Sequence, residues 1–321
     1  MNGLDRFDYY LNQVQELLDK SKAETNPGWW LFTNGLRTPV FMLEALAKLY
    51  SKLHDKTIFN KLQDRFKLLE DILGDIDYYN AYGEEFKNQA GVPASALQHF
   101  EEKKQQHIRL LNDELIAENW IGSERSRIDK IRKKLSEVSW FSEEKEVDAI
   151  KKFYLKAIES IKEFYNATGG VFNDMEEQVH ELRRKIRWLS IYPQALRGGI
   201  QLSEQNMPEP YLAKYFAPEI VNSPFNKLPE PAGGKSFLYL DKNYFLANSW
   251  LISELGKLKD AGLGQIALEE ASMPHRDEDP APETETSQPV NHAKINEYLK
   301  KASEITKTFF DEGNLDKLVV D

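Results

Sequence analysis

Cysteine is absent from the 321 residues, so neither a disulfide framework nor thiolate chemistry can be built. Also missing is any apolar run approaching the ~18 residues that a membrane span needs. The start, Met1-Asn2-Gly3-Leu4-Asp5, has no basic stretch leading into an apolar one, so no signal peptide is expected. These absences describe a soluble protein of a reducing compartment, with the cytoplasm as the expected location and no membrane partner. Positive charge is in deficit, 42 Lys and Arg against 52 Asp and Glu, for a formal net charge of −10. Non-specific nucleic-acid binding needs a clustered positive field, and this balance argues against it. No Walker loop, Gly-x-Gly-x-x-Gly, Gly-x-Ser-x-Gly or His-Glu-x-x-His string occurs. The expectation is therefore a chain that is not an enzyme, with no catalytic residue, no metal site and no cofactor.

What is present reads as an all-α fold. Ile58, Leu62, Phe66, Leu69, Ile72, Leu73 and Ile76 recur at helical spacing, as do Val147, Ile150, Tyr154, Ile158, Ile161 and Tyr165. Helices are predicted over about 4–22, 29–52, 57–88, 93–118, 123–138, 143–167, 174–197, 243–272 and 291–311. Asn173 is the expected N-cap of the 174–197 helix, with Glu176 at N3. Pro39 predicts a kink near residue 35 or a helix that starts there. Two segments break the pattern. Residues 203–235 hold six of the fourteen prolines and read as an ordered or semi-ordered insertion rather than a helix. Residues 275–290 are acidic, proline-bearing and without large apolar groups, the composition of a disordered loop.

A motif occurs twice. Asn34-Gly-Leu36-Arg37-Thr38-Pro-Val-Phe41-Met-Leu43 falls in register on His180-Glu-Leu182-Arg183-Arg184-Lys-Ile-Arg187-Trp188-Leu189. Each copy is followed by a Leu-Gly signal, Leu73-Gly74 and Leu255-Gly256. The chain reads as a diverged tandem duplication, a single domain whose halves cover 1–140 and 141–321. On a helix over 174–197, Met175, Val179, Leu182, Ile186 and Leu189 form the core stripe. His180, Arg183, Arg184 and Arg187 form a second stripe at i, i+3, i+4 and i+7. Like charges so placed repel. Arginine forks match phosphate oxygens, and a histidine beside them titrates near neutrality, so the stripe suits an anion. The same spacing also describes a solvated basic flank paired with carboxylates of neighbouring helices.

The string His180-Glu181-Leu182-Arg183-Arg184-Lys185-Ile186-Arg187-Trp188, with the Leu-Gly signal and the duplication, resembles the conserved histidine α-helical domain (CHAD) family over roughly residues 25–310. The resemblance implies two pseudo-symmetric four-helix halves around a central basic channel. It also implies non-enzymatic binding of inorganic polyphosphate through His180, Arg183, Arg184 and Arg187. The first copy departs from that pattern. Its stripe is Asn34, Arg37, Thr38 and Phe41, in which only Arg37 keeps its charge. The expected site is a one-sided, weakened polyphosphate or polyanion site of those four residues with Arg37.

Other readings stand beside this one. A helical interaction scaffold could have lost the anion site and bind a protein partner through the two inserts. Asp71, Asp75 and Asp77 around Gly74 could hold a cation for a phosphatase, or simply be a solvated or ion-paired face. The basic run 125–134 reads as an extended anion surface or a solvated helix face. His99 and His107 are too far apart to share one metal ion without other ligands.

Overall fold

The computed structural model describes residues 1–122, 127–204, 207–231, 233–272 and 292–320. The predicted acidic loop at 275–290 lies outside these. Several long helices start where a side chain takes up their first free N–H groups. Helix α1 (Gly3–Ser21) opens on a reciprocal cap: Asn2 Oδ1 accepts from the Asp5 amide and Asp5 Oδ2 accepts from the Asn2 amide, both at 3.0 Å. The predicted 29–52 helix is two pieces, α2 (Pro27–Thr33) and α3 (Arg37–Leu53). The chain turns between them at Gly35, whose φ is +79°. Pro39 thus lies in the first turn of α3, where a missing N–H costs nothing.

Helix α4 (Lys56–Lys87) is capped by Asp55 and returns along α3; α5 (Ala94–Ala117) packs on α4. Helix α6 (Arg127–Ser136) leads to α7 (Glu143–Ala167). The predicted 174–197 helix opens with a wider π turn over Met175–His180 before α8 (Glu181–Ala195). Its cap is Asp174, which accepts from the Glu177 amide at 2.6 Å, rather than Asn173. The stripe Met175, Val179, Leu182, Ile186 and Leu189 is buried.

Two short strands were not foreseen. Strands β1 (Ile200–Ser203) and β2 (Leu238–Asp241) pair in parallel, Ile200 opposite Leu238, on either side of the proline-rich insertion. Among its described residues the insertion forms short helical turns, including α9 (Pro218–Val221). Helices α10 (Lys242–Ser272) and α11 (His292–Asp311) complete the chain.

The helices pack in two chains that meet in the middle. Helices α1 and α4 lie on α3, and α5 lies on α4. Helices α7 and α10 lie on α8, and α11 lies on α10. Helices α3 and α8 pack on each other. Apolar residues from all of these form one large core. A smaller cluster joins the far ends of α4 and α5 (Tyr82, Phe86, Phe100) to Ala267 and Ala271 of α10. Among the described residues no helix is long and apolar enough to cross a membrane.

A buried ion pair stitches α1 to α7 through α3. Arg6 Nη1 donates to Glu146 Oε2 at 2.5 Å and to the Tyr50 hydroxyl at 2.7 Å, while that hydroxyl donates to Glu146 Oε1 at 2.6 Å. The Arg6 and Glu146 side chains are only 5% and 6% exposed. Removing one member strands the other charge without water. Glu146→Ala should therefore lower unfolding free energy by roughly 3–5 kcal/mol, read as an earlier urea midpoint.

Candidate anion-binding site

The α3–α8 seam brings the two motif copies together. On α3, Arg37, Phe41, Glu44 and Lys48 fall at i, i+4, i+7 and i+11, one side of the helix. On α8, Arg187 and Trp188 meet them. The Phe41 and Trp188 rings lie 5.1 Å apart, and Trp188 stacks in turn on Tyr192. Arg187 lies over Phe41, 5.0 Å from the ring centre, and Lys48 over Trp188 at 4.1 Å. Each cation rests on a ring face, an attraction that survives partial loss of water.

Of the five sequence-predicted residues, three converge. Arg183 donates its Nε to the Ile252 carbonyl at 3.0 Å, and burial lowers its pKa, opposed by Asp260. Arg187 keeps part of its side chain open to solvent but is crowded by protein on its other side, and it has no ion-pair or hydrogen-bond partner among the described residues. Its pKa is lowered to about 10, first by lost hydration and then by Arg183 and Arg37, with Glu70 opposing. Arg37 is engaged by two carboxylates of α4: its Nε donates to Glu70 at 2.9 Å and its Nη1 to Asp77 at 2.7 Å. The other two residues face different partners. His180 Nδ1 lies 2.8 Å from Glu176, and Arg184 lies 2.5 Å from Glu181. Arg184 still reaches the seam electrostatically, because it and Lys185 both depress Lys48.

Spacing missed Glu44 and Lys48. Glu44 is buried, and its pKa is pushed up to about 7, first by burial and next by Glu70; Asp71 adds to this, while Lys48 and Lys67 oppose it. Burial takes Lys48 down to about 8, with Arg184 and Lys185 in the same direction and Glu44 and Glu181 opposing. A lysine four residues after a glutamate on the arginine-bearing face was the available signal.

The Leu-Gly signals acquire a physical meaning. A β-carbon at Gly74 would stand 3.0 Å from Arg37 Nη2, and one at Gly256 would stand 3.0 Å from Arg183 Nε. In both motif copies the arginine reaches across the helix that carries the following Leu-Gly, with the tip of its guanidinium at Gly74 and a broader face of it at Gly256.

The remaining candidates are otherwise engaged. Asp71 pairs with Lys67, Asp75 lies 3.3 Å from His107, and Asp77 serves Arg37. Among the described residues no three such groups could hold a metal ion. His99 lies beside Phe100. In the basic run, Arg127 pairs with Glu118 and Arg132 with Asp8. The insertion seats on the end of α8, where Gln194 donates to the Phe225 and Lys227 carbonyls, and on α10, where Ser249 donates to Asn226. None of the contacts described for Arg187 involves it. No family model, curated protein or solved structure matches the chain.

Two expectations follow from the glycines and from Glu44. Gly256→Ala meets the whole guanidinium of an arginine anchored to a carbonyl; it should cost about 1–2 kcal/mol despite alanine's better helix propensity. Gly74→Ala meets only the tip of Arg37 and should change stability by less than about 1 kcal/mol. Thermal midpoints of the two variants decide. Glu44 titrates higher when folded (about 7) than at its ordinary 4.5, so the folded state holds this proton more tightly. The stability it contributes is fully present below pH 4.5 and is lost as pH rises through about 7. Urea midpoints of the wild type should fall across that window, and Glu44→Gln should remove this component of the fall.

Proposed function

We propose that the chain is a non-catalytic, internally duplicated helical protein of CHAD type. It binds a polyanion, inorganic polyphosphate first among them, on the α3–α8 seam. Arg187 and Arg183 carry the contact, with Arg37 at its edge. The observation that carries this reading is the Arg187 guanidinium: without a carboxylate partner among the described residues, and lowered in pKa first by lost hydration and next by two neighbouring arginines. An anion there relieves a repulsion already present in the free protein and takes up donors left without a partner.

The duplication is supported by the matching order of packing, α1, α3, α4, α5 beside α7, α8, α10, α11. It is supported again by the arginine laid over a glycine in both copies. The resemblance to CHAD proteins rests on the same residues. Glu176, Glu181, Glu70 and Asp77 already hold His180, Arg184 and Arg37. His180, Arg184 and Arg37 are therefore peripheral, and the site is one-sided and weak.

A second reading, an interaction scaffold without a working anion site, draws on those same carboxylates. It draws also on the insertion, which leaves Met207 and Phe225 91% and 76% exposed.

The test is binding of labelled polyphosphate at three salt concentrations. Affinity should fall steeply with salt, as expected when bound cations are released from a polyanion. Arg187→Ala should weaken binding at least about tenfold, and Arg184→Ala less than about threefold, because Arg184 has a partner of its own. No binding at the lowest salt would replace the anion reading with the scaffold.

A further inference from the structure

Glu44 is a carboxyl group largely buried in the seam with little to hold it. It is 5% exposed, and among the described residues it accepts no hydrogen bond and forms no ion pair. A carboxylate in that position is poorly solvated and favours its neutral form. The charged and titratable groups around it come from three helices. Lys48 lies one turn further along α3; Glu70, Lys67 and Asp71 come from α4; the Tyr192 hydroxyl comes from α8. Helices α1 and α7 also pack on α3, but the charges they bring, Arg6 and Glu146, meet at Tyr50 and satisfy each other there.

Lys48 is the link from this buried acid to the surface. It rests on Trp188, the ring paired with the Phe41 that carries Arg187, so each ring of the pair bears one cation. Arg184, Lys185 and Glu181 act on Lys48 from α8. We propose that Glu44 is an internal, proton-operated competitor for the anion surface. Ionised, it offsets Lys48 from beneath and cancels part of the field an anion would feel. Protonated, it leaves Lys48 and Arg187 to the ligand. Bound anion and bound proton then favour each other, and the linkage runs both ways. The proposal rests on the anion reading of this seam. Glu44 near 7 and Lys48 near 8 bracket the range in which the exchange operates.

The experiment is calorimetric titration with long-chain inorganic polyphosphate, whose internal units stay ionised, between pH 6 and 8.5. Two buffers of different ionisation heat at each pH read the protons taken up. The wild type should bind about tenfold more tightly at pH 6 than at pH 8 and take up protons near pH 7.5. Glu44→Gln should hold the pH 6 strength through pH 7 and lose the uptake near neutrality, keeping only the change that Lys48 itself brings toward pH 8. A variant that keeps the wild-type pH dependence and uptake overturns the proposal. A carbon-13 titration of the Glu44 carboxyl in the wild type decides the same question without a substitution. Its midpoint should rise when polyphosphate is added, and an unmoved midpoint overturns the proposal. Failure of the wild type to bind at any pH overturns the underlying anion reading. Binding that is blind to Glu44 overturns only the competitor.

Discussion

A helix seam that carries charge holds together only if each charge finds compensation as water is withdrawn, and the α3–α8 contact is built under that constraint. Its cations meet the demand in three ways. Arg187 and Lys48 lie on aromatic faces, Arg183 on a backbone carbonyl, Arg37 between two carboxylates. The neighbours are placed by these needs. Helix α4 must present Glu70 and Asp77, two turns apart, to one guanidinium. Helix α10 must bring the Ile252 carbonyl and the bare backbone of Gly256 to the other. The two long helices are therefore fixed in rotation by single arginines as well as by their apolar faces.

Much of the fold was legible because its helices are amphipathic and well punctuated. The apolar stripe of 175–189 is buried as its spacing required, and Pro39 marked a helix start. The strands were not legible: Ile200–Ser203 and Leu238–Asp241 are four residues each, too short to show a period, and their pairing depends on contacts 38 residues apart. Of the candidate site, the motif register and periodicity found the arginines but neither Lys48 nor the partners of any of them. Whether a basic stripe is available is decided by carboxylates on other helices, and no spacing within one segment records those. Glu44 was hidden for a related reason, since a glutamate reads as surface until a neighbouring helix covers it.

Positions 41 and 187 are equivalent in the sequence register, and they touch each other across the seam. Two arginines meeting there would repel, and a ring beneath one arginine attracts it instead. Phe41 thus packs beneath Arg187 at a position where a second cation would oppose it.

The strand pair has a consequence for how such a chain can change. Strand β1 follows α8 after a tight turn through Arg197 and Gly198, and β2 runs directly into α10, with the two strands locked side by side. Whatever lies between them leaves from one end of the ladder and returns to the other, a gap of roughly 10 Å. The ladder bears the closure, so the length of the intervening segment is uncoupled from the angle between the two helices. Residues can be added or removed there while Arg183 keeps its seat on Gly256, which makes this the position where the protein can acquire a new surface without rebuilding its centre.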